Sequence, residues 1–359
     1  MSTFFNTVHI TNFKSLKNVT LSDCKRINLL IGKPNVGKSN ILEAIGLFSL
    51  PYLKYNKSKK ITQFVRIENI AELFFDGDIN EKAIIKTDDD SYCTVNYLNK
   101  LGLVDVEINL KNQSSQIYDS ISPIFLNEGD KYTVSINNNL DVEVSPGLTD
   151  NIFPFPPKVK LYKFSQNYDF KKQDIFLQYL LPAYGTNLLD IIQIHKELRA
   201  DLSNIFSDYG LKIVFDTASH SLKLMKDKSG NEIFLLPYSS IADTLQRVIF
   251  FKTAIASNKD SILLFEEPEA HCFPPYIAHF TQDVINSINN QFFIATHSPY
   301  VLNDFLETEE TRKELAIFIA DFKDGQTVIN RLTDDEVNEV YDYGIDVFFN
   351  YERFTRHDG

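Results

Sequence analysis

The sequence has no tryptophan and only three cysteines among its 359 residues. Cys24, Cys93 and Cys272 are far apart and form no CxxC pair, so they support neither a disulfide framework nor a zinc site. His271 stands next to Cys272, but no second pair of metal-binding residues accompanies it. The cysteine pattern therefore excludes small disulfide-rich domains and thiolate metal proteins.

Long apolar segments are also missing. No run approaches the roughly 20 residues needed to cross a bilayer. The start of the chain, MSTFFNTVHITNFKS, has neither the basic nor the apolar region of a secretory signal. The sequence predicts a cytoplasmic protein without a membrane partner.

Basic residues are fewer than acidic residues. The chain has 36 lysines and arginines against 48 aspartates and glutamates, which gives a net charge of −12. It therefore lacks the basic field that concentrates proteins on nucleic acid, so a nucleic-acid partner stays open but is not indicated. The basic stretch from Lys54 to Lys60, KYNKSKK, is interpreted as a solvated loop.

The segment Ile31–Asn40, IGKPNVGKSN, has the GxxxxGKS spacing of a phosphate-binding loop. The apolar run Arg26–Ile31 predicts a buried strand before it, and the periodicity of NILEAIGLF predicts a helix after it, with Pro51 ending the pattern. The two glycines leave room for backbone N–H groups around phosphates. Lys38 supplies a charge and the Ser39 hydroxyl can ligate Mg²⁺. The segment therefore predicts a site for a nucleotide with magnesium.

The inner letters of this loop, PNVG, are those of a translation-type GTPase, but a phosphate loop does not read the base. A GTPase also needs an NKxD segment and a DxxG switch. The nearest matches are Asn258–Ser261, which ends in serine, and Asp227–Gly230, which lies about 190 residues downstream in an apparent hairpin turn. Both are better interpreted as turns, so ATP is favoured over GTP.

Two acids, Glu266 and Glu267, follow the predicted strand SILLF. Open α/β sheets bind ligands at the carboxyl ends of their strands. Because successive strand side chains point opposite ways, Glu266 is expected to hold the Mg²⁺ hydration shell and Glu267 to polarise the attacking water. His297 follows the next predicted strand, FFIA, and is expected to sense the γ-phosphate through a hydrogen bond.

Ser239 and Ser240 precede a helix predicted from about Ile241. Ser240 and Asp243 fit an S-x-x-D capping box, which is the ordinary interpretation. A helix N-terminus with serine hydroxyls also forms an anion site, which in a two-fold dimer could cover the γ-phosphate bound by the partner. The sequence leaves these two interpretations open.

The helix and strand patterns predict an α/β nucleotide-binding head with an antiparallel β lobe inserted after its first helix, and no coiled-coil arm. The predicted order is the N-terminal part of the head over residues 1–60, the β-rich lobe over 61–165, a helical segment and hairpin over 166–234, and the C-terminal part of the head over 235–359. One amphipathic helix is predicted over Asn187–Phe206, and a hairpin around Ser229 and Gly230.

The segments FKSL, GKPNVGKSN, YSSIADTLQR, LLFEEPEAHCFP and ATHSP, in this order, resemble an ATP-binding-cassette (ABC)-type P-loop ATPase head. The resemblance is to the branch shared by SMC proteins, RecF proteins and the ATPase part of OLD (overcoming lysogenization defect) nucleases. It covers about 1–50 and 235–305 well and the middle loosely. It implies ATP and Mg²⁺ as ligands and places the chain beside stand-alone bacterial ATPases, many of them tied to phage defence.

The resemblance implies roles for individual residues. Glu266 would be the Walker B acid, Glu267 the catalytic base and His297 the switch histidine, while Ser239 and Ser240 would be the signature serines. The residues that would bind the nucleotide and its metal are Gly32, Lys33, Pro34, Asn35, Val36, Gly37, Lys38, Ser39 and Asn40.

Two further positions are expected at this site by resemblance. The segment around Asn12, Phe13 and Lys14 would lie near the adenine and ribose, and Gln166 would be the Q-loop residue at the metal. The signature departs from the usual pattern, since Ile241 stands where a glycine normally follows the serine.

By the same resemblance, ATP binding would close two heads into a homodimer or higher oligomer around two nucleotides, and hydrolysis would reopen them. The output would pass to an effector protein, such as a nuclease or toxin subunit of an antiphage defence system. The alternatives are a RecF-like DNA-repair clamp and a structural scaffold that binds ATP with little turnover.

Overall fold

A computed structural model describes residues 4–111, 130–146, 157–166, 177–207, 209–216, 218–219, 221–228 and 232–355. The chain forms two compact units. The first contains residues 1–161, 260–267 and 289–359, and the second contains residues 162–259 and 268–288. The four segments predicted from the sequence follow chain order, whereas the first unit combines distant parts of the chain and the second is interrupted by residues 260–267.

The described strands are β1 (Val8–Phe13), β2 (Leu16–Leu21), β3 (Ile27–Gly32), β4 (Ala83–Thr87), β5 (Tyr92–Leu98), β6 (Leu103–Leu110), β7 (Asp130–Ile136), β8 (Val142–Pro146), β9 (Val159–Tyr162), β10 (Lys212–Asp216), β11 (Ser221–Asp227), β12 (Ile233–Pro237), β13 (Ile262–Glu266), β14 (Gln291–Ala295), β15 (Leu315–Lys323) and β16 (Gln326–Arg331). The described α-helices are α1 (Lys38–Gly46), α2 (Leu188–Ile194), α3 (Lys196–Ser207), α4 (Asp243–Ala256), α5 (Pro274–Asn286), α6 (Pro299–Leu306), α7 (Glu309–Lys313) and α8 (Asp334–Asp342).

A six-stranded sheet of the first unit, in the order β16-β15-β3-β14-β13-β9, positions the candidate site. Strands β15, β3, β14 and β13 are mutually parallel, and every residue of β3 and β14 is buried. Their near-continuous apolar sequences suit strands covered on both faces. The strands predicted before the phosphate loop, before the two glutamates and before the histidine are thereby confirmed.

The antiparallel sheet of the first unit runs in the order β2-β1-β4-β5-β6-β7-β8. Its strands alternate buried and exposed residues, as in β6, so the predicted antiparallel character is confirmed. The sheet also includes β1 and β2, which precede the phosphate loop in the chain. Strand β1 joins it through pairing with β4, where buried Ile10 lies opposite buried Ile85.

Two predicted helix limits need correction. Helix α1 ends at Gly46, and 3₁₀ turns continue over Leu47–Tyr55, past Pro51. In the second unit the predicted helix Asn187–Phe206 is two helices, α2 and α3, because His195 has an extended backbone with φ −90° and ψ 96°. The apolar pattern continues across this break, so the sequence does not reveal it.

The second unit also contains the three-stranded sheet β10-β11-β12, which agrees with the predicted hairpin strands. Ser229 and Gly230, the predicted turn, lie outside the described residues. The longest helix in the described ranges, α4, has 14 residues. In those same ranges, no helix has both the length and the apolar character required to traverse a bilayer.

Candidate functional site

The phosphate loop joins the end of β3 to the start of α1, as the sequence predicts. Gly37 has φ 101°, and a Cβ atom there would collide with the Thr327 hydroxyl. A Cβ at Gly32 would collide with the backbone oxygen of Ala320. Asn35 has φ 62°, a conformation that asparagine tolerates better than most residues. Both loop glycines are therefore required by close packing against β15 and β16.

Lys38 is the first residue of α1, and its side chain turns back over the loop. Its Nζ donates to the backbone oxygens of Gly32 and Lys33, both at 2.8 Å, and the residue is only 6% exposed. Burial lowers the pKa of Lys38 to about 8, an effect that the negative charges of Glu267 and Glu266 oppose. The loop thus holds a buried ammonium that incoming phosphate oxygens can draw away from two carbonyls.

A hydrogen-bonded chain fixes the other side of the loop. Asn40 Nδ2 donates to Ser15 Oγ at 2.7 Å, and Ser15 Oγ lies 2.7 Å from Thr327 Oγ1. Lys33 Nζ lies 4.2 Å from the centroid of the Tyr351 ring, a cation–π contact with the C-terminal segment. Asn40 and Lys33 are both predicted to bind the nucleotide. Their side chains therefore already contact other residues of the protein.

Glu266 and Glu267 follow β13, and His297 follows the adjacent strand β14. The register places Glu266 opposite Ala295, and Ala295 opposite Leu30 of β3. His297 Nε2 lies 3.5 Å from Glu267 Oε1. The predicted acids and histidine therefore share the sheet edge where the phosphate loop begins.

The two glutamates point differently for a reason other than strand alternation. Strand β13 ends at Glu266, and Glu267 adopts φ 42° while its N–H donates to Ala295 O at 2.8 Å. A non-glycine residue in this region of backbone space is strained, and such strain concentrates at functional sites. The turn sends the half-exposed Glu267 carboxylate towards His297 and leaves Glu266 17% exposed.

Burial, together with the charge of Lys38, lowers the pKa of His297 below its usual value, while Glu267 acts in the opposite direction. The imidazole is therefore neutral at physiological pH. A neutral ring can donate one hydrogen bond and accept another without adding charge. His297 is thus suited to position Glu267 or a phosphate oxygen rather than to neutralise it.

Sequence reasoning missed an ionic network behind Glu266. Arg66 Nη2 donates to Glu266 Oε1 at 2.6 Å, and Arg66 Nε donates to Glu43 Oε1 at 3.0 Å. Lys14 Nζ donates to Glu43 Oε2 at 2.7 Å, and Glu43 is 1% exposed. The only local sign of this network in the sequence is Glu43, which stands among the apolar residues of the predicted first helix. A carboxylate buried at such a position needs charged partners.

The predicted adenine and ribose contacts are only partly compatible with the structure. Phe13 is fully buried in the core, so its ring has no face available to a base. Asn12 Nδ2 donates to Lys82 O at 3.4 Å, and Lys14 is committed to Glu43. The Phe13 side chain lies in the core at the end of β1, and the expectation that this segment lies near the adenine and ribose stays a prediction.

Ser239, Ser240 and Gln166 belong to the second unit. The serines are exposed in a 3₁₀ turn over Tyr238–Ser240, and α4 begins only at Asp243 with Ala242 as N-cap. The predicted capping box is therefore wrong, because the chain continues for two residues before the helix starts. Asp243 instead accepts hydrogen bonds from Gln166 Nε2 at 2.8 Å and Arg247 Nε at 2.9 Å.

The two segments compared with GTPase motifs have structural roles. Asn258 is buried and donates to Tyr162 Oη at 2.9 Å and to Ala254 O at 2.7 Å. Asp227 ends β11 and pairs with Lys212 at 2.6 Å. Both side chains are therefore explained by contacts within the fold, in agreement with their interpretation as turns rather than GTPase motifs.

The donor groups at the sheet edge suit a magnesium nucleotide. Phosphate oxygens match a loop with a helix N-terminus and a buried ammonium, and the hydroxyl of Ser39 and the carboxylate of Glu266 are the oxygen donors that Mg²⁺ prefers. The glycine positions leave no room for side chains within the loop. The residues at this edge therefore fit both the phosphates of a nucleotide and a magnesium ion.

The lowered pKa of Lys38 predicts a pH dependence of nucleotide binding. Phosphate contacts need the charged ammonium, so affinity is expected to be constant below about pH 8 and to decline as the amine loses its proton. Between pH 7 and pH 9 the affinity should fall about tenfold. Isothermal titration with ADP and Mg²⁺ across this range measures the effect, and an unchanged affinity at pH 9 would contradict it.

Comparisons with known proteins identify a family and relatives to which the chain is similar. A family model described as "AAA domain, putative AbiEii toxin, Type IV TA system" matches residues 168–303, which include Glu266, Glu267 and His297. The chain is 24% identical over 93% of its length to the ATP/GTP phosphatase of Helicobacter pylori, and covers 96% of that protein. It is 26% identical over 59% of its length to the DNA replication and repair protein RecF of Rickettsia typhi, and covers 54% of that protein.

A solved structure shares the fold. The Smc head domain of Pyrococcus furiosus, crystallised with an extended coiled coil and the C-terminal domain of ScpA, superimposes with a TM-score of 0.54. The match covers 95% of this chain and 99% of the Smc chain at 13% identity. At this identity the similarity establishes the architecture alone.

Proposed function

Since the chain is an ABC-type ATPase of the SMC and RecF branch, we propose that it binds MgATP at the edge formed by β3, β13 and β14 and hydrolyses it. The observation that carries this proposal is the convergence of Lys38, Glu266, Glu267 and His297 on that edge. Hydrolysis is supported by a relative named as an ATP/GTP phosphatase, which matches over nearly the whole chain.

Each residue of the site has a separate role in the proposed hydrolysis. Lys38 leaves the carbonyls of Gly32 and Lys33 and binds phosphate oxygens, where its charge offsets theirs. Glu267 accepts the proton of the attacking water as general base, and neutral His297, whose Nε2 lies 3.5 Å from Glu267 Oε1, would position the carboxylate. Ser39 and Glu266 would hold a magnesium ion, which would stabilise the charge that develops on the phosphates.

The proposal includes assembly of two heads around the nucleotides. Exposed Ser239 and Ser240, at a turn shortly before α4, would complete the site of the partner. Two-fold pairing of this kind is isologous, so each head would give and receive the same contacts. The cycle would then transmit nucleotide state to an effector protein. The toxin–antitoxin description of the matching family favours an antiphage role for that effector.

Assembly is tested with the Glu267→Gln variant, which should bind ATP without turning it over. Light scattering is expected to give the mass of a monomer without nucleotide and of a dimer with ATP and Mg²⁺. Ser240→Arg in the same background should prevent dimerisation while nucleotide affinity is retained. A mass that is the same with and without ATP would contradict the paired-head part of the proposal.

A RecF-like clamp is the second candidate, favoured by the match to RecF of Rickettsia typhi. It requires duplex DNA binding that depends on ATP and weakens steeply with salt. The net charge of −12 opposes such binding. Fluorescence anisotropy with a labelled duplex at two salt concentrations separates the two functions, since the effector-linked switch predicts no ATP-dependent binding.

A further inference from the structure

Arg66 lies in the short stretch between two 3₁₀ turns, Ile61–Gln63 and Ile70–Leu73. Its guanidinium bridges two carboxylates that are 223 positions apart, Glu43 on α1 and Glu266 at the end of β13. The contacts are short, at 3.0 Å and 2.6 Å. Arg66 therefore connects the helix of the phosphate loop with the acid expected to serve the metal.

The two ends of this bridge differ. Glu43 is 1% exposed and also accepts from Lys14 Nζ and from the backbone N–H of Arg66, so it is a buried anchor that accepts from three donor groups of two residues. Glu266 is 17% exposed and faces the sheet edge. Arg66 itself is 58% exposed. The Glu43 end is held by the fold, whereas the Glu266 end can be released to solvent.

A guanidinium and a metal ion make incompatible demands on one carboxylate. Arginine carries a permanent positive charge and only hydrogen-bond donors, so it cannot join the oxygen shell of Mg²⁺. The Glu266 oxygen that accepts from Arg66 cannot serve both cations with full strength, and the two positive charges repel each other. The second oxygen of Glu266 stays available to a metal ion, but each cation weakens the attraction of the carboxylate for the other, so the two compete for Glu266.

We infer that Arg66 is the resting counter-ion of Glu266, and that binding of a magnesium nucleotide exchanges this guanidinium for the metal. Arg66 then stays attached through Glu43 but loses its contact with Glu266, which transmits nucleotide binding to the Ile61–Leu73 stretch. Arg66 is thus a positioning residue that sets how readily the metal is accepted. The inference rests on the proposed nucleotide site.

The test is a magnesium titration followed by thermal unfolding, with the nonhydrolysed analogue AMP-PNP held at saturation. Arg66→Gln removes the competing charge but keeps a hydrogen-bond donor, and Glu43 retains Lys14. The Mg²⁺ concentration for half-maximal protection is expected to fall about fivefold, the scale of a partly exposed ion pair. Protection by AMP-PNP with EDTA should be unchanged.

Two variants accompany this test. Lys111→Gln removes the same charge from a surface pair with Asp90 on the antiparallel sheet, and its magnesium midpoint should equal that of the wild type. Arg66→Lys keeps the charge with a shorter reach and should lower the midpoint about twofold, which preserves the test if Arg66→Gln does not fold.

An unchanged or raised midpoint in both Arg66 variants would overturn the exchange while leaving the nucleotide site intact. A midpoint lowered equally by Lys111→Gln would also overturn it, because net charge would then explain the effect. Wild-type protein without any magnesium-dependent protection would refute the proposed function itself.

Discussion

Replacement of Lys38 with alanine is expected to weaken nucleotide binding about 100-fold, the cost of removing one member of a desolvated charge pair. The side chain is buried and donates to two loop carbonyls, so its ammonium lies within the loop where the phosphates are predicted to bind. Thermal unfolding with ATP and Mg²⁺ measures the loss of affinity. The stabilisation of the folded protein by a ligand grows with the logarithm of the ratio of ligand concentration to dissociation constant.

The same experiment examines base selectivity. ATP is expected to protect the wild-type protein more strongly than GTP, since Asn258 of the NKxD-like segment is buried and hydrogen-bonded within the fold. Lys25→Ala, which removes an exposed pair with Asp334, is the matched control and should behave as the wild type. Full protection of Lys38→Ala by ATP would place the nucleotide elsewhere.

Glu267→Gln is expected to reduce steady-state phosphate release at least about 100-fold while nucleotide affinity stays near that of the wild type. The amide keeps the shape of the side chain and can still bond His297, but it cannot accept a proton from water. Glu266→Gln should differ, because it acts on the metal and should raise the Mg²⁺ requirement.

The control for Glu267 is Glu310→Gln, an exposed acid on α7 whose loss should leave turnover unchanged. If wild type and Glu267→Gln release phosphate at the same negligible rate, the scaffold alternative is favoured. If both release it rapidly, another group acts as the base.

The sequence predicts those parts of the candidate site whose side chains directly follow a recognisable strand. The phosphate loop, the acids after β13 and the histidine after β14 each follow a buried apolar strand, and parallel strands bring their carboxyl ends to one edge. The sequence pattern therefore indicates that Lys38, Glu266 and His297 meet. Their separate roles as nucleotide, metal and phosphate ligands stay predictions.

The remaining features depend on contacts that no local pattern contains. Arg66 reaches Glu266 across 200 positions, and Ser15 reaches Thr327 across 312. Ser240 and Asp243 are the residue types of a capping box, but the backbone stays extended for two residues before α4 begins. The Phe13 side chain lies in the core because the alternation of β1 breaks at Asn12, whose backbone has φ 54°, and a sequence pattern of alternation does not reveal this break.

The most direct measurement is a crystal structure of the Glu267→Gln variant with ATP and Mg²⁺. One triphosphate is predicted to touch both Lys38 and the substituted side chain at position 267, with the ammonium released from the carbonyls of Gly32 and Lys33. Nucleotide bound at any other surface, with that ammonium still seated on its two carbonyls, would contradict the account.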